Sequence, residues 1–92
     1  MNKSLSELRD DINAVDLQLV ALLNERARVA KEIGTVKAAT GKAVYDPTRE
    51  GQVIERVAQA NEGPLSKGAI EEIFTVIISA CRQIQLADRQ AD

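Results

Sequence analysis

Residues 19–34 read LVALLNERARVAKEIG. Leu19, Leu22, Val29 and Ile33 recur at the three- and four-residue steps that line one side of an α-helix. The position that should join Leu22 to Val29 on that stripe is Arg26, a permanent cation. Outward from it the stripe continues through Leu5, Leu8, Ile12 and Val15 upstream and through Val36 downstream. Ser4 and Glu7 have the spacing of a capping box, and no proline interrupts the pattern. These features predict one helix over about residues 4–39, roughly 50 Å long at 1.5 Å per residue.

The segment ATGKAVYDPTRE, residues 39–50, ends that pattern. Gly41 suits a turn, and Asp46 followed by Pro47 reads as an N-cap with proline in the first helical position. A second helix over about residues 47–61 turns Val53, Ile54 and Val57 inward, and NEGPLS stops it. Ser66 caps a third helix, over about 66–87, with the stripe Ile70, Ile73, Phe74, Ile77, Ile78, Cys81 and Ile84. The terminal ADRQAD reads as a frayed end. The expectation is a single all-α domain over residues 1–92 with three helices, one very long. Two shorter helices, of roughly 15 and 22 residues, cover only part of a 50 Å seam, so a helical homodimer is expected.

Composition narrows the functions available. Hydrophobic residues make up 45% of the 92 positions but aromatics only 2%, so the core is aliphatic. A net charge of −2, one Tyr and one Phe leave little to attract phosphates or to stack on bases, which argues against nucleic-acid binding. No apolar run reaches membrane-spanning length, and MNKSLSELRDD lacks the apolar stretch of a signal peptide. One Cys and no His exclude an intrachain disulfide, His-based or multi-Cys metal sites, and Ser-His or Cys-His nucleophiles. The chain reads as cytoplasmic, soluble, metal-free and not membrane-bound.

Arg26 admits two explanations. It snorkels to the edge of the packing face or fixes register there, or the seam opens at that point into a cavity for an anion. Lys37 favours the cavity. It lies eleven residues on, three helical turns, and so returns to nearly the same face about 16 Å along the axis. Two inward cations without partners are costly, so they need an anion. Glu25 and Glu32 each sit one residue off the stripe, turned about 100° away, and read as a solvated face. Gln85 follows Cys81 by four, placing a neutral amide on the third helix's inward stripe, either as a hydrogen-bonded core residue or as a ligand donor. Asp46, Arg49 and Glu50 stand near the mouth of such a pocket.

Over essentially its full length the chain resembles the all-helical class of chorismate mutases. The stretches LRDDINAVDLQLVALLNERARVAKEIGTVK, YDPTRE and IFTVIISACRQIQ carry the resemblance, through the ordered set Arg9, Arg26, Lys37, Asp46, Arg49, Glu50 and Gln85. That resemblance implies an isomerase that converts chorismate to prephenate by a Claisen rearrangement, on the route to phenylalanine and tyrosine, with no cofactor and no covalent intermediate. It implies an intertwined homodimer with two sites, each built from both chains. Arg26 and Arg9 are then expected to bind the substrate's two carboxylates. Lys37 and Gln85 are expected at the ether oxygen, with Lys37 also reaching a carboxylate. Glu50 and the backbone near Asp46 are expected at the ring hydroxyl, with Arg49 ordering that region and Ile33 and Ile78 as apolar walls.

Arg9 lies about 25 Å along the helix from Arg26 and about 100° around it, so the two cannot share a small ligand within one chain. Arg9 therefore acts from the partner subunit, or it pairs with Asp10 or another neighbour. Two positions depart from the family pattern. Cys81 stands where a serine hydroxyl near a substrate carboxylate is expected, and a thiol is a weak donor. Arg82 stands where an apolar residue is expected, and either adds a carboxylate contact or faces solvent. The alternatives are an isochorismate pyruvate lyase of the same fold, disfavoured by the acidic pair Asp46 and Glu50, and a non-catalytic dimerisation or regulatory module. The module is disfavoured because an interface gains nothing from unpaired inward charges.

Overall fold

The ends of the first helix are written locally. In the computed structural model, which describes residues 2–90, α1 runs Leu5–Ala39. The Ser4 hydroxyl accepts from the Glu7 N–H while the Glu7 carboxylate accepts from the Ser4 N–H, completing the capping box. At the other end Gly41 takes φ +71°, and the N–H groups of Gly41 and Lys42 donate to the carbonyls of Ala38 and Lys37. This is a Schellman stop, which needs a residue without a Cβ at its left-handed position. The reversal returns the chain alongside the last turn of α1, where Lys37 lies.

Helix α2, Pro47–Ala60, starts on Asp46, whose carboxylate accepts from the Arg49 N–H at 3.1 Å, and Pro47 occupies a first-turn position where its missing N–H is harmless. Ser66 begins α3, Lys67–Gln90, by accepting from the Ala69 N–H at 3.1 Å. Helix α3 extends past the end expected at about residue 87: residues 87–90 are helical, not frayed, and the Arg89 guanidinium donates to the Lys42 carbonyl. Ala91 and Asp92, the rest of the segment read as a frayed end, lie outside the described residues.

The described residues hold three helices and no strand, so the chain is all-α. Helix α3 packs on both α1 and α2, whereas α1 and α2 do not pack on each other. Ala30 and Gly34 on α1 are buried at the first of these junctions, with Ile78, Cys81 and Gln85 facing them from α3. The molecule is elongated, 58 × 27 × 14 Å, with a radius of gyration of 16.8 Å. A compact chain of this length would have a radius of gyration of about 12 Å.

The long seam of α1 accounts for that shape. Leu5, Leu8, Ile12, Val15, Leu19 and Leu22 keep between 47% and 63% of their surface exposed. On α3, Ile73, expected inward, is also exposed. Nothing among the described residues covers these side chains, because α3 lies against the C-terminal half of α1 and α2 lies against α3 alone. No helix among the described residues is long and apolar enough to cross a membrane.

Candidate active site

Where α1, α3 and the start of α2 meet, they enclose a pocket of about 280 Å³. Arg26, Ile33 and Lys37 line it from α1, Asp46, Arg49 and Glu50 from the start of α2, and Ile78, Cys81, Arg82 and Gln85 from α3. Every residue singled out in the sequence lines this one cavity except Arg9. Arg9 lies exposed near the N-terminal end of α1, and the structure shows it neither ion-paired nor hydrogen-bonded among the described residues.

The two seam cations are held without being neutralised. Arg26 donates from Nη1 to the Cys81 sulfur at 3.1 Å, a weak acceptor that takes none of its charge. Lys37 donates from Nζ to the Val44 carbonyl at 3.0 Å, a bond made possible by the reversal after α1. Neither is in ion-pair contact with a carboxylate among the described residues. Glu25 and Glu32 are exposed, on the solvated face where the helical phase put them. An ammonium group has three donors, so Lys37 keeps two for a ligand.

Gln85 is buried at 8% exposure and donates from Nε2 to the Ala30 carbonyl at 2.7 Å. That bond fixes which end of the amide is the nitrogen and leaves its second N–H free. Gln85 comes this close to the α1 backbone because residue 34, one turn beyond Ala30, has no side chain: a Cβ at Gly34 would lie 2.8 Å from Gln85 Cγ. The sequence carried a signal for this contact. A glycine inside a helix costs about 1 kcal/mol relative to alanine, so it calls for a packing reason.

Arg82 is half-buried on the pocket wall and is paired with a protein carboxylate. It forms a two-point ion pair with Glu50, from Nε at 3.1 Å and from Nη2 at 3.0 Å, and its guanidinium carbon lies 5.1 Å from the centre of the Tyr45 ring. Val44 and Tyr45 are further participants that periodicity did not reveal, because they lie in the connection between helices where no period applies. Val44 is buried and lines the pocket with Val29, Ala30 and Val53.

The chemical character of the cavity follows. It offers fixed cations with free donors, one oriented neutral amide, apolar walls from Ile33 and Ile78, and a carboxylate at its edge. It has no histidine, and its one thiol accepts from Arg26, so it is built to hold and polarise a small anion rather than to attack one.

An all-helical chain with a cationic pocket of this kind defines a small-anion site on a helical scaffold. Residues 8–86 match the model of the chorismate mutase type II family, and the chain belongs to that family. It is similar to the bifunctional chorismate mutase/prephenate dehydratase of Aquifex aeolicus (strain VF5), with 34% identity over 87 residues covering 90% of this chain and 24% of that protein. The chain thus spans about a quarter of the length of the bifunctional relatives it matches. Among solved structures it is similar to chorismate mutase (form II) from Thermus thermophilus, at a TM-score of 0.88 and 29% identity over 90% of this chain and 94% of that one. It is also similar to chorismate mutase from Helicobacter pylori in complex with prephenate, at a TM-score of 0.86 and 26% identity over 96% of each chain.

Proposed function

We propose that this chain rearranges chorismate to prephenate, as a homodimer with two shared sites, in the supply of phenylalanine and tyrosine. The observation that carries the proposal is that Arg26 and Lys37, neither paired with a carboxylate, line one pocket with an amide whose donor direction is fixed. A prephenate complex of a similar protein supports the choice of ligand.

The reaction breaks an ether C–O bond and forms a C–C bond within one molecule, so no proton transfer to an enzyme base is required. The site must hold a flexible dianion in the compact conformer where the bonding carbons meet, which is orientation work. Arg26 binds one carboxylate by its planar fork, and Arg9 of the partner subunit binds the other. As the C–O bond breaks, negative charge grows on the ether oxygen. Lys37 and the free N–H of Gln85 meet that charge, stabilising the transition state more than the ground state. Lys37 also reaches a carboxylate. Glu50 and the backbone at Asp46 receive the ring hydroxyl, Arg49 orders the mouth, and Cys81 keeps Arg26 in place. Ile33 and Ile78 form the apolar walls that exclude water.

The second copy follows from the exposed α1 seam. Each half-exposed aliphatic side chain gains about 1 kcal/mol on losing its remaining contact with water. Six of them on each chain make association favourable even after ordering costs of several kcal/mol. An antiparallel or crossed pairing of the long helices also brings Arg9 of the partner subunit toward the Arg26 region, which no fold of one straight helix can do.

The test is direct. Purified chain incubated with chorismate should abolish the substrate's ultraviolet absorbance and yield prephenate. Release of pyruvate from isochorismate instead would make the chain a lyase. A folded dimer that acts on neither would make it a binding module.

A further inference from the structure

Among the described residues, Arg82 is the one cation of the pocket that is ion-paired. Its fork meets both oxygens of Glu50, at 3.0 and 3.1 Å, across the contact between α3 and α2, and its guanidinium carbon lies over the Tyr45 ring, 5.1 Å from the centroid. The pair is partly shielded, with side-chain exposures of 29% and 24%. A two-point pairing fixes the plane of a carboxylate, whereas a single-point contact leaves it free to rotate. Tyr45 in turn limits the guanidinium, whose carbon sits over the ring within cation–π range.

The geometry leaves Glu50 competent. An ionised carboxylate offers about four acceptor positions, and the fork uses two of them. The remaining ones are available to a hydroxyl in the pocket that Glu50 lines. Arg82 itself has spent its charge locally and adds little net attraction for a dianion, unlike Arg26 and Lys37. Helix α2 packs only on α3, so the Arg82–Glu50 pair is also the polar link that sets how the first turn of α2 faces the cavity.

We propose that Arg82 is a positioning residue that orients the Glu50 carboxylate toward the ring hydroxyl of the substrate. This rests on the mutase assignment of the same pocket. It makes Arg82 act through Glu50 and only on substrates that carry that hydroxyl, which separates it from a residue that merely stabilises the fold.

The experiment compares the full chain with Arg82→Gln, Arg82→Lys, Glu50→Gln and the Arg82→Gln/Glu50→Gln double variant. Each is assayed on chorismate and on an analogue lacking the ring hydroxyl. Arg82→Gln should lower kcat/KM on chorismate by about tenfold, the scale of one lost charged hydrogen bond, while changing the analogue by less than about twofold. Arg82→Lys keeps the charge without the fork and should show the same substrate-dependent loss. It carries the comparison alone if Arg82→Gln does not fold. In the Glu50→Gln background, Arg82→Gln should add no further loss on chorismate. Equal losses on both substrates, full additivity with Glu50→Gln, or a variant faster than the parent would each overturn the proposal. A parent chain that leaves chorismate unchanged would instead overturn the assignment beneath it.

Discussion

Gly34 and Gln85 are closer than any other residue at position 34 would permit: a Cβ there would lie 2.8 Å from Gln85 Cγ and 3.2 Å from its Cβ. The approach lets the Gln85 amide reach the Ala30 carbonyl, at 2.7 Å, and the bond sets the direction of its other N–H. Helix packing and site geometry are therefore one feature here.

Gly34→Ala should separate stability from activity. Alanine favours the helix by about 1 kcal/mol, while the displaced Gln85 loses a buried hydrogen bond worth about 1 kcal/mol, so the two effects nearly cancel in the melting temperature. Activity should fall by about tenfold or more, because a misplaced donor loses most of its effect in the transition state. Kinetics and thermal melts on one preparation decide it, and full activity would show that Gln85 needs no such seat.

Arg26→Ala should leave the fold intact, since the bond it gives up is to the weakly accepting Cys81 sulfur. Catalysis should suffer heavily: loss of a charged donor from a desolvated site costs about 2–5 kcal/mol. Circular dichroism alongside chorismate turnover checks this. A chain that melts earlier but turns over normally would return Arg26 to a purely structural role in the seam.

Mixed dimers address Arg9, which stands exposed and away from the pocket of its own chain. Arg9→Ala and Lys37→Ala chains should each be nearly inactive alone. Refolded together in equal amounts, half the dimers are mixed and half of their sites are intact, so activity should return to about a quarter of the parent's. No recovery at any ratio would remove Arg9 from the shared site, and a fully active monomer in sedimentation would remove the dimer.

Helix ends were legible in the sequence because each is decided within a few residues: Ser4 with Glu7, Asp46 with Pro47, and Ser66. The pocket lining was legible for a related reason. Arg26, Lys37 and Gln85 interrupt apolar stripes, and a stripe fixes the face of its members. What escaped were relationships between faces. Glu50 and Arg82 are 32 residues apart on two helices, and no periodicity says which cation a carboxylate will meet. The Ala30–Gly34 strip escaped because small residues mark a close approach only once the approaching helix is known. The continuation of α3 to Gln90 escaped because its last turn is tied by Arg89 to Lys42, a contact between distant segments.

Gln85→Glu should make catalysis fall as pH rises. The amide donates through two N–H groups, one to the Ala30 carbonyl and one free for the ether oxygen. A carboxylate donates neither, and it would place a negative oxygen about where Nε2 now stands, 2.7 Å from the Ala30 carbonyl oxygen. Burial and that repulsion raise the introduced group's pKa above its reference of about 4.3, while Lys37 on the same pocket wall opposes the shift. With the folded pKa raised, the stability contribution of the protonated form is fully present below the unfolded value. It is lost as pH rises through the folded one. Melting temperature and rate should therefore both climb on acidification, whereas the parent has no such group in that place. Even fully protonated, the variant has a single O–H to share between Ala30 and the ether oxygen, so its plateau should stay below the parent rate. A pH series of kcat and of thermal melts tests both halves. A flat profile at the parent's rate would mean that Gln85 gives no hydrogen bond to the ether oxygen, and that its amide serves only to join α3 to α1.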